Sequence, residues 1–332
     1  MIESVYIGSF PPPFGGVTVK NALLYEELQK YLDIERLDVM DAKHLHPTAL
    51  VRLLGAMLGR KGSVIIGLSS SWRRRVSRIL YYLNRKKARR SILVVMGGRI
   101  EIDQKSISVI NAFRRIYVET EEMKRQLESA GANAVSLYPN CRRRPDVSCT
   151  VSNTVANKIK AVFFSKISID KGADVVLAAA TRLPEIEFHF YGQIEGEFRF
   201  EFDQAVAKCA NVFYHGVFDS VISDAYSELN KYDVHLLPTR YFNEGIPGVI
   251  PESKIAAIPT IASATENTRS LIEDGVDGVL LSEVNAERLS GALLKLANNP
   301  ELLDRMKIKA HESAERFYIE RYGEEIAECL NH

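Results

Sequence analysis

The run Val234-His235-Leu236-Leu237, followed by Glu244-Gly245-Ile246-Pro247-Gly248-Val249-Ile250-Pro251-Glu252, is the stretch on which the fold reading turns. Four apolar or half-apolar residues read as a buried strand, too short for a helix. Gly245 and Gly248 then mark a loop. Pro247 suits the first turn of a helix and Pro251 still lies near that end, because a helix start leaves amides unpaired and tolerates proline. The helical stretch continues through Ser253–Ala257, and Thr260–Ile261 reads as the next strand. A strand, a glycine-rich loop, a helix and a strand in this order form the unit from which parallel sheets are wound.

The same unit recurs in both directions. Downstream lie helices at Ala286–Ala297, Pro300–Arg316 and Ile319–Leu330. Upstream lie strands at Lys160–Phe164, Glu187–Tyr191 and Val212–His215, with helices at Gly172–Thr181 and Val221–Leu229. The first half holds strands at Ser4–Ile7, Ile34–Val39, Ser63–Leu68, Ile92–Met96, Arg115–Glu119 and Val135–Tyr138. Between them run helices at Thr18–Leu32, Ala49–Leu58, Arg73–Leu83, Lys105–Phe113 and Glu121–Ala130. Pro145–Asn157 is polar and without period. The expectation is therefore α/β: a Rossmann-like domain over 1–150, a linker over 151–158, a second Rossmann-like domain over 159–316, and a terminal helix over 317–332 crossing back to the first. A ligand is expected in a cleft at the strand C-termini.

The bulk numbers agree with a soluble globular chain, with 46% hydrophobic and 26% charged residues. No run of 18 apolar residues occurs, and Glu3 with Pro11-Pro12-Pro13 argues against a signal peptide. Cys141, Cys149, Cys209 and Cys329 are scattered, without metal-ligand spacing, and read as free thiols of a reducing compartment. A cytoplasmic protein is the default. Residues 1–150 carry 25 Lys+Arg against 14 Asp+Glu, and residues 151–332 carry 18 against 28. Halves of opposite sign point to domains with different partners.

Three loops carry candidate chemistry. Gly8-Ser9-Phe10-Pro11-Pro12-Pro13-Phe14-Gly15-Gly16-Val17 follows the first strand and precedes the first helix. Its glycines permit positive φ and a close approach of backbone to ligand, and the following helix start favours an anion. It is not the G-x-G-x-x-G of dinucleotide binding. The second loop, Phe163-Phe164-Ser165-Lys166-Ile167-Ser168-Ile169-Asp170-Lys171-Gly172, places two lysines where a diphosphate could be neutralised without a metal; two solvated surface lysines are the ordinary alternative. The third is the Glu244…Glu252 stretch, whose carboxylates suit sugar and ribose hydroxyls. Helix capping by Glu244 and a surface position for Glu252 are its ordinary alternatives.

With Val118-Glu119-Thr120-Glu121-Glu122-Met123-Lys124, Tyr138-Pro139-Asn140, Phe190-Tyr191-Gly192, His215-Gly216, Pro259-Thr260-Ile261-Ala262-Ser263 and Ile272-Glu273-Asp274-Gly275-Val276-Asp277-Gly278, these loops follow one family's order. Together they resemble glycosyltransferase family 4, the retaining group 1 enzymes of GT-B fold, over most of the chain. The resemblance implies two Rossmann-like doubly wound domains facing a central cleft and a nucleotide-sugar donor. Glu252 would hold the ribose, Glu244 the donor sugar, and Lys166 and Lys171 the diphosphate, with Glu244 and Lys171 nearest the chemistry. Gly245, Ile246, Pro247, Gly248, Val249 and Gly192 would complete the donor side. Gly15, Gly16, Met96, Gly97 and Arg99 would line the acceptor side. It implies metal-independent transfer with retention, without a cofactor, to a glycan or polyprenyl-linked saccharide in surface polysaccharide biosynthesis.

Departures from the family pattern keep other readings open. Ser165-Lys166 replaces the usual Gly-Arg, which keeps charge and loses bidentate geometry. Met96-Gly97-Gly98-Arg99 stands where a histidine is common, and Glu266, Asn267 and Ser270 replace the usual Gly-Gly and Glu. Arg269 or Asn267 is then a further donor contact to weigh. A non-catalytic nucleotide-sugar-binding subunit and a sugar-nucleotide epimerase are the alternatives. His44 and His46 read as solvated loop residues, and His215 and His235 as core or cleft-edge residues. Basic residues mixed with apolar ones over Trp72–Arg90, notably Arg73, Arg74, Arg75 and Arg78, suit an anionic membrane surface. Docking on the inner face of the cell membrane is the expectation there. No signature of nucleic-acid binding accompanies the charge.

Overall fold

The computed structural model describes residues 4–12, 15–39, 47–59, 62–97, 100, 102–147, 149–151, 159–219, 224–241 and 246–331, with backbone only at 47–50 and 70. The chain divides into two compact units, Met1–Arg144 with Arg316–His332, and Pro145–Glu315.

The first unit alternates β1 (Ser4–Gly8), α1 (Gly16–Leu28), β2 (Ile34–Asp38), α2 (Pro47–Leu58), β3 (Val64–Leu68), α3 (Ser70–Leu83) and the single turn α4 (Arg85–Ala88). It continues with β4 (Ile92–Val95), α5 (Gln104–Ile110), β5 (Arg115–Val118), α6 (Glu121–Ser129) and β6 (Val135–Leu137). All six strands pair in parallel in the order β2-β1-β3-β4-β5-β6. Central β3 and β4, with sequences VIIGL and ILVV, are buried throughout, while edge strand β2, IERLD, exposes its middle residues. This is the burial expected where helices cover both faces of a parallel sheet. Ile7, Ile66, Leu93 and Ile116 build one core layer. Tyr6, Ile65, Ile92 and Tyr117 build the other, together with Leu24 and Leu28 of α1. The C-terminal segment completes this second layer: after Phe317 accepts from the Arg142 amide (2.7 Å), Ile326, Ala327 and Leu330 pack among the same residues.

The second unit holds β7 (Lys160–Phe164), α7 (Ala173–Arg182), β8 (Glu187–Tyr191), α8 (Arg199–Lys208), β9 (Val212–Tyr214) and α9 (Ala225–Leu229). Then come β10 (Val234–Leu237), α10 (Val249–Ile255), β11 (Thr260–Ser263), α11 (Glu266–Arg269), β12 (Gly278–Leu281), α12 (Ala286–Ala297) and α13 (Pro300–Ser313). Residue 320 opens α14 (Glu320–Asn331), the C-terminal helix of the first unit. The parallel order β12-β11-β10-β7-β8-β9 is that of the dinucleotide-binding sheets, 3-2-1-4-5-6, with the direction of winding reversing between β7 and β10. The doubly wound expectation therefore holds in both units.

Helix α8 and strand β12 of the second unit escape a periodicity reading. Helix α8, RFEFDQAVAK, buries only Phe202 fully and leaves Phe200 exposed, so it shows no apolar stripe. Strand β12, GVLL, is an apolar run of four that becomes a strand by pairing with β11, Thr260 opposite Gly278 through Ser263 opposite Leu281. Gly278 is required there, since a Cβ would lie 2.5 Å from the Thr260 carbonyl oxygen.

Candidate functional site

At the C-terminal edge of the second sheet, the loops leaving β7, β8 and β10 are tied to one another by backbone. The Ser165 amide donates to Tyr191 O (3.1 Å), Ile167 N to Gln193 O (2.9 Å) and Glu195 N back to Ile167 O (2.9 Å). Arg240 N donates to Asp170 O (2.8 Å), and Thr239 Oγ1 to the same oxygen (3.2 Å). Two glycines make this possible. Gly172 has φ +80, and a Cβ on it would lie 2.0 Å from Pro238 O. Gly192 has φ +143, and its Cβ would lie 1.9 Å from Ser165 O. Both are held to glycine by conformation and by the neighbouring backbone, independently of any ligand.

These loops carry Lys166 and Lys171. Lys166 is half-exposed and pairs with Glu195 across the β7 and β8 loops. Lys171 lies over the Tyr241 ring at 5.5 Å from its centroid. Arg240 pairs through one nitrogen with both oxygens of Asp174 (2.8 Å each), fixing the β10 loop to the first turn of α7. Both lysines thus stand on the loop beside the switch point between β7 and β10, where ligands of doubly wound sheets bind.

The β10 loop leads into α10. Glu244 and Gly245 lie outside the described residues, as does Arg99. Ile246 and Pro247 are buried, Gly248 precedes the helix, and Val249 is its first residue. Pro251, rather than Pro247, occupies the first helical turn: Pro247 precedes the capping Gly248, and its carbonyl accepts from Ile250 N at 3.2 Å. Glu252 is half-buried on α10, so it is no ordinary surface position. The next turn of that helix is anchored from below. Lys254, almost wholly buried, pairs with Asp277 and donates to Ser313 Oγ (2.7 Å), while Asp277 Oδ1 accepts from Glu273 N (2.9 Å). Asn267 and Arg269 lie on the one-turn helix α11, capped by Thr265.

In the first unit, neither Gly15 nor Gly16 adopts positive φ. Gly15 is extended at φ −168, and Gly16 is the first residue of α1. Gly15 would meet only Thr18 Oγ1 at 4.0 Å, and Gly16 nothing within 4 Å. The conformational reason for these glycines falls, and open space above the backbone is what they provide. Met96 is fully buried in the core beside Tyr6 and Phe10, so its side chain does not line a cleft. Its place at the end of an apolar strand puts it under α1. Gly97, at φ +72, then turns the chain past Val17, whose Cγ2 lies 3.8 Å from a Cβ built on the glycine.

Sequence reasoning missed the buried charge beneath this edge. Lys20 Nζ bonds Glu119 Oε1 (2.6 Å), Val95 O (3.3 Å) and Tyr138 O (3.5 Å), at the ends of β4, β5 and β6. Both side chains are at most 4% exposed. The signal was present: Lys20 falls on the same helical stripe as Leu24 and Leu28, where an apolar residue is expected. His215, expected in the core or at a cleft edge, is exposed at the β8–β9 edge, in a group with His189 that the sequence did not reveal. His189 Nδ1 and His215 Nε2 share a hydrogen bond (2.9 Å), His215 stacks on Tyr191, and the Tyr191 hydroxyl donates to Glu228 (2.6 Å). Burial lowers the pKa of both imidazoles; for His189 the bond to Glu187 opposes it. His235 is fully buried, with its pKa pushed down to about 3, whereas His44 and His46 lie outside the described residues.

The four arginines expected to face a membrane do not share a face. Arg73 is 7% exposed, donates to Leu68 O (3.4 Å), and has its pKa lowered to about 10 by burial. Arg74 and Arg78 are half-buried and line a cavity of about 40 Å³ against Ser106 and Ile110 of α5. Only Arg75 is exposed, over Trp72 at 5.6 Å. The helix turns 100° per residue, so a run of three arginines spreads over most of its circumference. Among the described residues no helix is long and apolar enough to cross a membrane, and no three His, Cys, Asp or Glu side chains are grouped to hold a metal ion.

Residues 150–313 match the family model of glycosyl transferases group 1. Over 157 residues the chain is 27% identical to a protein of Klebsiella pneumoniae described as an uncharacterized 41.2 kDa protein in the cps region, covering 47% of this chain and 42% of that one. A relative from Bacillus subtilis (strain 168) is 24% identical over 174 residues, 51% of this chain and 44% of its own length. The chain therefore spans less than half the length of the curated relatives it matches. Among solved structures, Anabaena Alr3699/HepE in complex with UDP superposes with TM-score 0.70 at 15% identity, covering all of both chains. Sucrose-phosphate synthase from Thermosynechococcus elongatus superposes with TM-score 0.72 at 14% identity, covering 100% of this chain and 98% of that one.

Proposed function

We propose, from the premise that residues 150–313 form a group 1 glycosyltransferase domain, that this chain transfers a sugar from a nucleoside-diphosphate sugar to a glycan or lipid-linked acceptor. The observation that carries the reading is the stitched edge of the second sheet. Lys166 and Lys171 stand on the β7 loop at the switch point, and the β10 loop bonded to it leads to Glu252. Lysines there offset the charge of a diphosphate, and a half-buried carboxylate accepts hydrogen bonds from ribose hydroxyls. The exposed pair Lys166–Glu195 is weak in water, so a doubly charged diphosphate competes well for the lysine. The solved neighbour in complex with UDP supports the same class of ligand.

In this reading Glu252 holds the ribose and Glu244 the donor-sugar hydroxyls. Lys171 steadies the departing diphosphate, whose oxygen takes the acceptor proton on the same face, so that configuration is retained. Residues Gly245 to Val249 and Gly192 complete the donor side, with Gly15, Gly16, Gly97 and Arg99 on the acceptor side. No metal or cofactor is assigned a part. Surface polysaccharide is the proposed context, supported by the cps-region relative.

A second reading, a nucleotide-sugar-binding subunit without turnover, is favoured by one observation: Met96 is buried where a histidine is common in the family. One experiment separates the two. The protein is incubated with a panel of UDP- and GDP-sugars and an acceptor lipid extract, and nucleoside diphosphate release and glycan mass are followed. Release with a matching gain in mass is the expected result. Binding of the nucleotide sugar with neither would establish the subunit, and no binding at all would overturn both.

A further inference from the structure

We propose that the first unit docks on an anionic membrane surface through the paired outward faces of α2 and α3, a face different from the one the arginine run indicates. Only its use, to meet a lipid-linked acceptor, rests on the transferase reading; the surface itself stands on its own residues.

From Ala42 to Ile100 the chain contains no Asp or Glu, yet it holds 14 of the 43 Lys and Arg residues. Within that stretch the two helices are apolar on both sides. Inward, Met57 of α2 and Val76 and Leu80 of α3 are buried in the core. Outward, Val51, Leu54 and Leu58 repeat at helical spacing on α2, with Ile79, Tyr82 and Leu83 on α3, all between 43% and 77% exposed. A solvated basic helix needs no such outer stripe, and the core is already served by the inner one.

The two stripes are brought side by side. α2 packs against α3, and both run from a strand C-terminus back to the next strand, so they are parallel. Asn84 Nδ2 donates to Met57 O (3.2 Å) and Lys87 Nζ to Gly59 O (3.2 Å), joining the ends of the two helices. Leu58 and Leu83 flank that junction in sequence. Beyond it Arg85, Lys86, Arg89 and Arg90 are exposed, and Arg75 stands one turn before Ile79 on the same stripe. Arg52, on α2, is taken by Glu35 of β2.

Aliphatic side chains bordered by cations match the acyl boundary and the phosphate layer of a bilayer, with the helices lying in the interface plane. Nucleic acid would gain from the cations but leave the aliphatic stripe without a partner, since such interfaces are polar.

The test is co-flotation of the full chain with phosphatidylcholine vesicles, with and without phosphatidylglycerol, while nucleotide binding is followed by titration with the same UDP- and GDP-sugars. Flotation is expected only with the anionic lipid and is weakened by high salt. Each neutralised cation is expected to lower partition about fivefold, so Arg85→Gln with Lys86→Gln costs about 25-fold. Leu54→Asp and Tyr82→Asp should each abolish flotation, with thermal melts confirming the fold. Arg74→Gln, on the other side of α3, should leave it unchanged. Equal recovery with and without phosphatidylglycerol would overturn the proposal. So would flotation that Arg74→Gln lowers as much as the Arg85/Lys86 pair, or displacement of vesicles by duplex DNA. Lost flotation with nucleotide-sugar binding intact sinks docking alone; intact flotation with none of the UDP- and GDP-sugars bound sinks the transferase reading alone.

Discussion

Gly172→Ala is the substitution on which the account of the donor-side loops depends most directly. The residue sits at φ +80, a region that costs an L-residue about 1–2 kcal/mol. Its new Cβ would also lie 2.0 Å from Pro238 O, a backbone atom that can yield only if the β7 or β10 loop shifts. Overpacking of that kind costs about 1–3 kcal/mol, so the total is about 2–5 kcal/mol. That is a sizeable share of the 5–15 kcal/mol that holds a typical domain. Urea denaturation followed by circular dichroism reads the loss, and UDP titration reads the displacement of Lys171, the adjacent residue. Gly16→Ala is the matched control. It adds the same methyl to the first residue of α1, where nothing lies within 4 Å, and should change stability by no more than about 0.5 kcal/mol. A fall in turnover at unchanged stability would place ligand in that open space. A loss below about 1 kcal/mol for Gly172→Ala, or an equal loss for Gly16→Ala, would refute the reasoning.

Further expectations concern buried groups and the carboxylate of α10. His235, with its pKa depressed from 6.5 to about 3 by burial, favours the folded state fully above pH 6.5, and that contribution is lost as pH falls toward 3. At pH 5 the loss is about 2 kcal/mol, so a denaturation series from pH 7 to 5 should show a slope that His235→Leu reduces. Lys254→Met strands Asp277 and should cost about 3–5 kcal/mol, with Lys254→Met/Asp277→Asn costing less than the sum of the singles. Glu252→Gln should weaken UDP binding about tenfold, roughly 1.4 kcal/mol, with the melting temperature unchanged; an unaltered affinity would remove the residue from the ribose.

How far the sequence was legible depended on whether a residue's environment follows from local pattern. Strands Lys160–Phe164, Glu187–Tyr191 and Val234–Leu237 and helix Ala286–Ala297 stand at the bounds their periodicity predicts. Helix α8 and strand β12 do not announce themselves, because one has no apolar stripe and the other is four residues whose partner is 18 positions upstream. Among candidate site residues, the loop placement of Lys166 and Lys171 was readable from strand, glycine and helix signals. The side of α3 on which each of Arg73, Arg74, Arg75 and Arg78 falls was not. A cluster of like residues in sequence carries no phase until packing against α5 and the sheet sets one.

The sequence by itself determined the class: apolar runs too short for anything but strands, separated by glycine-marked loops and helices, leave two parallel α/β sheets as the way to bury them. Only the tertiary structure decided what individual residues in that frame do. Gly172 and Gly192 are held by the approach of other backbones, while Gly16 is open to solvent, though all three look alike in the chain. Met96 is core, Lys20 is a buried partner of Glu119 from 99 residues away, and Glu252 stands on a helix that Lys254 anchors to Asp277. The physical reason is common to all of them. Burial, charge pairing and close backbone approach are properties of neighbours in space, and sequence periodicity reports only neighbours along one element.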